Sequence, residues 1–494
     1  MSVTIGIDLG TTNSAVAWHD GKKTEIIETS SGQLLLPSVV MVQEDGSLKV
    51  GRQAQLSLRR DMDPRYVFSN IKRHIGMPFS EGEDYGKQVI NHDGMRWFIG
   101  PDDMNYSPEE LSAEILKTLK AAAERRLGKT VTKAVIAVPA YFNPDRIKKT
   151  QDAAALAGLK ATIWTEPQLA AIANNVEREE FARVAVFDIG GGTFDIVLLE
   201  AGRGHIEPLA VGGNDELGGA DFDNAVMRYV MEAYREREGV DLSQGAVSEI
   251  KLMPAVEEAK KELSDSNVTE VAAQSVHYDT ETGKTYDVRE RLTLETFNEV
   301  TKRFVDQAMA ITRRTLEQAN LQPTDFTEVL LVGGMTRVPA VRQAVIEMFG
   351  EKRVRDGLNP DWAVVIGAAM VAAREDGRLK PGSFESQITA KPFGIETTGG
   401  KFMPILPAGT PYGEVESVIL TNAHDQQCVV PIDILQGDSV RAEECHVVAR
   451  HDHKVTPGPK RGVAIILELM VDENGNVLAS GHDLDTDEKF SIGA

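Results

Sequence analysis

The sequence predicts an α/β fold over residues 1–380 followed by a small all-β domain, a sandwich, over 393–494. Three observations carry this prediction. Up to about residue 380, strand-like apolar runs alternate with amphipathic helical stretches, a pattern that favours α/β layering. Beyond it the helical stretches stop and short strands follow, separated by turn signals at Gly399-Gly400, Pro407-Ala408-Gly409, Gly437-Asp438 and Asn474-Gly475. Finally, one hairpin-like segment near residue 8 recurs in kind near residue 188.

The composition bounds the function. The chain has 494 residues and a formal net charge of −22, from 53 Lys plus Arg against 75 Asp plus Glu. That acidity argues against broad binding of nucleic-acid backbones, which needs clustered cations. Two cysteines, Cys428 and Cys445, make no disulfide framework. The N-terminus opens directly into a strand with no basic-then-apolar leader, and no run approaches the roughly 18 apolar residues of a membrane span. A cytoplasmic protein without nucleic-acid or membrane partners is expected.

The first repeat is Gly6-Ile7-Asp8-Leu9-Gly10-Thr11-Thr12-Asn13-Ser14-Ala15-Val16, and the second is Phe187-Asp188-Ile189-Gly190-Gly191-Gly192-Thr193-Phe194-Asp195-Ile196-Val197. Each is an apolar strand ending in Asp, a turn with Gly and Thr, and a second apolar strand. Glycine lets backbone N–H groups approach and cradle phosphate oxygens, and Thr hydroxyls add donors. An Asp at each strand end can hold magnesium, directly or through its waters. One copy alone reads as an ordinary hairpin; two copies with Asp in register read as a grip on a nucleotide's phosphates from both sides.

Further elements follow in order. Ser107-Pro108-Glu109-Glu110 announces a helix, with Ser107 as cap, Pro108 in the first turn and Glu110 completing a capping box. Leu111, Ile115 and Leu119 share its inner face and Gly128 ends it. Lys133–Val138 is a strand closed by Pro139. Val329–Val332 is a buried-type strand leading through Gly333-Gly334-Met335-Thr336-Arg337 to a helix opened by Pro339. Such a junction permits close approach of a ligand ring, and Arg337 is placed to stack on a base. In the β region Ile465, Leu467, Leu469 and Val471 alternate as one strand face. Gly128-Lys129-Thr130 and Gly283-Lys284-Thr285 imitate the end of a Walker A loop, but the Gly required five positions upstream is Ala123 or Tyr278. The first is a helix end and the second a hairpin turn.

These segments closely resemble the seventy-kilodalton heat-shock chaperones, the DnaK-type family. The wording includes GIDLGTTNSAVA at the start, VPAYFN at 138–143, DIGGGTFD at 188–195, LGGADFD at 217–223, LVGGMTRVP at 331–339, GIET at 394–397 and LQGD at 435–438. The resemblance implies an actin-like, duplicated ATPase domain over 1–380, a linker over 381–392 and a peptide-binding β-sandwich over 393–494. It implies ATP or ADP with Mg²⁺ as ligands, and admits K⁺.

Carried over by position, Asp8, Asp188 and Asp195 are the magnesium carboxylates, acting mostly through water. Asp8, Lys72, Glu166, Thr193 and Asp195 form the catalytic group, with Lys72 positioning the nucleophile and Glu166 beside the attacking water. Gly10, Thr11, Thr12, Asn13, Gly190, Gly191, Gly192 and Thr193 take the phosphates. Glu257 and Lys260 meet the ribose, and Lys261 and Ser264 lie by the adenine opposite Arg337, with Gly333, Gly334, Met335 and Asp361 on the same side. Without the other motifs, Glu257 and Lys261 read as a solvated i,i+4 pair. Ile395, Leu420, Val430 and Ile432 match apolar groove positions for extended peptide, although on the residues alone they read as sandwich core.

Departures from the family pattern are Thr165 for Asn, Gln168 for Thr, Ala220 for Glu and Asn476 for an apolar residue. The stretch Ser383-Phe384-Glu385-Ser386-Gln387 is far more polar than the family's leucine-rich linker, which predicts altered coupling. The sequence given stops at Ala494, before the family's helical lid, as in a naturally lidless or a truncated member, and fast peptide release is expected. Cys445-His446 with His451-Asp452-His453 matches no zinc spacing and reads as a polar loop. An ATP-driven chaperone with J-domain and nucleotide-exchange partners is the expected function. The alternative is a regulatory platform of the exchange-factor or ribosome-associated type, and a metabolic kinase or filament protein is disfavoured by the β domain.

Overall fold

The computed structural model describes the chain apart from residues 1–2, 30–31, 44, 58–65, 84, 86–87, 102–103, 175–181, 203–204, 245, 280–281, 356, 380–387, 473–474 and 493–494. The polar run 383–387, Asn474 and Ala494 therefore lie outside the described residues.

Strands that are apolar on both faces need covering on both sides, which helical crossovers provide. Val3–Asp8 (β1) is such a strand, with Ile5 and Ile7 fully buried. It pairs antiparallel with Asn13–His19 (β2), which pairs with Thr24–Ile26 (β3). On its other side β1 runs parallel to Val131–Val138 (β4), and β4 runs parallel to Lys160–Thr165 (β5). The second sheet holds Ala182–Ile189 (β6), Phe194–Gly202 (β7), His205–Asn214 (β8), Glu328–Val332 (β9) and Val354–Arg355 (β10). Its order β8-β7-β6-β9-β10 repeats β3-β2-β1-β4-β5, with the same antiparallel and parallel senses. The short sequence repeat is thus the centre of a repeated sheet.

The helix foreseen at Ser107 is Pro108–Leu127 (α1), and both halves of its capping box form. Leu111, Ile115 and Leu119 are buried, and Gly128 closes the helix at φ 61°. Pro144–Leu156 (α2) connects β4 to β5, and its cap Asn143 accepts from the Arg146 N–H. Glu166–Ala173 (α3) and Ala363–Glu375 (α8) pack small residues in a core shared with both sheets, including Leu169, Ala170, Ala368 and Ala372. Between them in sequence lie Gly219–Glu238 (α4), Ala246–Glu262 (α5), Leu294–Gln318 (α6) and Pro339–Phe349 (α7). Gly283, at φ 68°, turns the hairpin between Val268–Tyr278 and Thr285–Thr293, as the failed Walker reading requires.

Residues 393–492 form two four-stranded antiparallel sheets. One contains Phe393–Thr397 (β11), Lys401–Leu406 (β12), Val429–Gln436 (β14) and His446–Lys454 (β15); the other contains Val415–Leu420 (β13), Ile465–Val471 (β16), Val477–Asp483 (β17) and Glu488–Ile492 (β18). A single hydrophobic cluster lies between them, and Ile465, Leu467, Leu469 and Val471 enter it from alternate positions of β16.

Ile395, Val430 and Ile432 lie inside that cluster at 5%, 6% and 1% exposure, and Leu420 packs against it half-buried. This burial agrees with the reading of the residues alone, that they are sandwich core. One expectation is corrected here: the segment read as a polar loop is strand β15 from His446 onward. Its His451 and His453 stack on Phe490 at 4.6 and 4.2 Å, and His453 Nε2 meets Asp483 Oδ2 at 3.0 Å. Among the described residues no group of three or more His, Cys, Asp or Glu is arranged to hold a metal ion directly, and no helix is long and apolar enough to cross a membrane.

Candidate functional site

The two repeated turns meet tip to tip. A Cβ built on Gly191 would fall 2.1 Å from Thr12 Oγ1, and one on Gly192 would fall 2.6 Å from Thr11 Oγ1. Only glycine fits there, because the opposite turn already occupies the side-chain volume. The first turn is pinned by Ser38, whose hydroxyl donates to the Gly10 carbonyl at 2.7 Å while its N–H donates to the Thr12 carbonyl at 2.8 Å. The second is held by the start of α4: Gly219 N–H donates to Gly190 O and Ala220 N–H to Gly191 O. Ala220, one of the departures, thus contributes through its backbone.

Beneath the turns the strand-end carboxylates converge. Asp188 stands opposite Asp195 in the β6–β7 ladder, whereas Asp8 stands opposite Ala15 in β1–β2. Burial, and then the negative charge of Glu166, push the Asp8 carboxyl up to about 7, against the opposing pull of Lys72. Asp188 and Asp195 are also raised well above the ordinary carboxylate range, first by burial and then by Glu166. Asp195 accepts the Tyr141 N–H at Oδ1, 3.1 Å away, while its buried Oδ2 has no partner. An orphaned carboxylate oxygen within a cluster of self-repelling acids fits a cation or its bound water.

Lys72 lies on the short turn Ile71–Arg73, entered through Asn70 at φ 55°. Its ammonium reaches Glu166 Oε1 at 2.5 Å, and both side chains are buried. Glu166 opens α3, so the pair spans two elements. Behind it, fully buried Arg146 donates to the Lys72 carbonyl at 2.9 Å and to Asp215 at 2.6 Å, with its guanidinium 3.8 Å from the centre of the Phe142 ring. The VPAYFN segment is therefore structural support for the site: Tyr141 holds Asp195, Phe142 backs Arg146, and Asn143 caps α2. Thr165 and Gln168, two further departures, partner each other through Thr165 Oγ1 and Gln168 Oε1 at 2.7 Å.

On the nucleoside side, Gly333 lies over the second hairpin at φ 81°, where a Cβ would fall 2.6 Å from Asp188 Oδ1. Arg337 is held by Asp361 at 2.8 Å and Asn359 at 2.9 Å, which fixes its guanidinium with 47% of the side chain exposed. Met335 is buried beside Gly219, and Gly334 neighbours Asp361. Glu257 and Lys261 form the i,i+4 pair at 2.7 Å, and Ser264 follows the end of α5. The Lys260 ammonium is buried and pairs with Asp223 at 2.7 Å. Burial selects that partner, because an unpaired interior charge is costly.

A cleft of about 1360 Å³ is lined by Thr11, Thr12, Arg73, Glu257 and Lys261 among others. Asp8, Lys72, Glu166 and Arg337 lie outside its walls, so the acidic cluster sits at its margin. Sequence reasoning missed Arg73, which reaches from the first half to the Gly192 carbonyl at 3.2 Å and to the Asp221 carboxylate. It also missed Ser38 and Arg146. Arg73 adjoins Lys72 in sequence, a signal that was available, whereas Ser38 and Arg146 carry none.

A family model described as Hsp70 protein matches residues 4–494, so the chain belongs to the Hsp70 family.

Proposed function

We propose that this Hsp70-family chain is an ATP-driven chaperone in which hydrolysis by residues 1–380 modulates binding and release of unfolded apolar segments by residues 393–494. Proteins of the family are ATPases that bind ATP or ADP with Mg²⁺. The observation that carries the reading is the pair of Gly/Thr turns in direct contact above Asp8, Asp188 and Asp195. Asp8, Asp188 and Asp195 would hold Mg²⁺ through its waters, and the ion supplies neutralisation of phosphate charge when bound.

The residues divide the work. N–H groups of the two turns, with Thr11, Thr12 and Thr193, cradle phosphate oxygens. Lys72 and Glu166 orient the attacking water, and Asp195 is placed to accept its proton. Positioning and electrostatics supply the acceleration, as in other phosphoryl transfers. Arg337, fixed by Asp361, offers one face to the base. Unfolded peptide, J-domain proteins and exchange factors are the partners this reading implies.

The test is release of a fluorescent apolar peptide with and without MgATP, with Lys72→Ala as control. Several-fold faster release with MgATP in the wild type alone supports the reading; no effect of MgATP sinks the coupled cycle. The platform reading is favoured by one observation, the enclosure of Ile395, Val430 and Ile432 in the sandwich core. It predicts MgATP hydrolysis without peptide capture.

A further inference from the structure

The β-sandwich is seated on the segment that supports the phosphate site, and the contacts are polar. His446 Nε2, at the start of β15, lies 2.7 Å from Asp145 Oδ2 in the first turn of α2. The Tyr141 hydroxyl donates to Asp438 Oδ2 at 3.3 Å, and the Lys391 ammonium stands 4.2 Å from the centre of the Tyr141 ring. An apolar approach lies beside them, where a Cβ on Gly475 would fall 3.1 Å from Ile147 Cδ1. Two sandwich residues, His446 and Asp438, and Lys391 just before the sandwich thus engage two positions, Tyr141 and Asp145, and Tyr141 donates its backbone N–H to Asp195.

We propose that Asp145 and His446 form a proton-operated latch holding the sandwich on residues 141–147. With His446 protonated the contact is an ion pair; with the imidazole neutral it is a single hydrogen bond. An imidazole changes charge across the neutral range, which puts the switch where cells vary their pH. The sign follows from the contact itself, because a protonated imidazole is drawn to the Asp145 carboxylate more strongly than a neutral one. Asp438 and Lys391 are engaged at Tyr141. Lys149 on α2 is engaged with Glu109 at 3.0 Å, and Arg441 is engaged with Glu443 and Glu444. His446 and Asp145 are 31% and 47% exposed, so protons reach the pair without unfolding. Acidification therefore tightens the seat. Because Tyr141 touches Asp438 with its hydroxyl and Asp195 with its N–H, the latch acts on the residue that supports the hydrolytic site.

The consequence for hydrolysis rests on the proposed function; the latch itself does not. The test is hydrogen exchange of the full chain, read as protection factors in peptides covering 141–147 and 438–447. For an exposed ion pair, protection in the wild type rises about two- to five-fold from about pH 8 to about pH 6. His446→Gln and Asp145→Asn each flatten the profile, and the exchanged pair Asp145→His with His446→Asp restores it. The same slope in wild type and both single variants overturns the latch, as does an absence of protection at both pH values. MgATP-independent peptide release with a normal exchange profile would sink the proposed function and leave the latch standing.

Discussion

Lys72 and Glu166, 94 positions apart in sequence, form a buried ion pair at 2.5 Å beside three carboxylates whose protons are all held more tightly than usual. The pair sets a cation beside an otherwise acidic cluster.

Replacing Lys72 by Ala leaves Glu166 buried without its partner. Losing one member of a buried pair costs about 3–5 kcal/mol, so K72A unfolds earlier in a denaturant titration. The double variant Lys72→Ala with Glu166→Gln recovers most of that stability, because no uncompensated charge remains. Neither variant recovers hydrolysis, which falls by roughly a hundredfold or more as a preorganised charge is lost. Recovery of turnover in the double variant would show that the pair supports the fold alone.

Asp195→Asn should move stability and ligand response in opposite directions. Removing a carboxyl held well above the ordinary range stabilises the nucleotide-free protein near neutral pH. It also removes the carboxylate whose Oδ2 has no partner, so under the proposed function the rise in Tm on adding MgADP shrinks. Thermal shifts with and without MgADP measure both effects in one experiment. An unchanged ligand shift would exclude Asp195 from the cation's surroundings.

Gly192→Ala tests the contact between turns without touching a charge. The new methyl would overlap the Thr11 side chain, and overpacking of this kind costs about 1–3 kcal/mol. The turns must separate to admit it. Affinity for ADP, measured calorimetrically, is expected to fall at least tenfold, and Thr11→Ser in the same chain is expected to restore part of it by vacating the overlapping methyl.

Burial, and then Arg96, Arg73 and Arg146, depress the His74 imidazole to about 3. Its native form is neutral, while the unfolded chain protonates near the ordinary value of about 6.5. Between these values the unfolded state binds more protons, so stability from this group is complete above about 6.5 and is lost as pH falls toward 3. The loss approaches about 1.4 kcal/mol per pH unit. His74→Gln should flatten the wild-type decline in urea midpoint between pH 7 and pH 5; identical slopes would refute the assignment.

Thr165→Ala and Gln168→Ala should not add. Each single change leaves the partner group without its hydrogen bond, at a cost of about 1 kcal/mol. The double change removes donor and acceptor together, so its cost in denaturant midpoint should approach that of one single change. Strict additivity would mean that the two departures are unrelated substitutions.

What the sequence determined by itself was whatever is encoded within a few neighbouring residues. The capping box at Ser107 and Glu110, the alternation along Ile465–Val471 and the Gly/Thr turns depend on local geometry, and each stands where it was expected. The motif wording identified the family. Only the tertiary structure decided which partner a side chain takes when several are within its reach. Lys260 turned to Asp223, Arg73 crossed to Gly192 and Asp221, and Ile395, Val430 and Ile432 closed into core. The physical reason is that burial penalises an unpaired charge or an exposed methyl wherever its partner lies in the chain. Asp145 and His446 are 301 positions apart and no local pattern links them; the packing of one half against the other does.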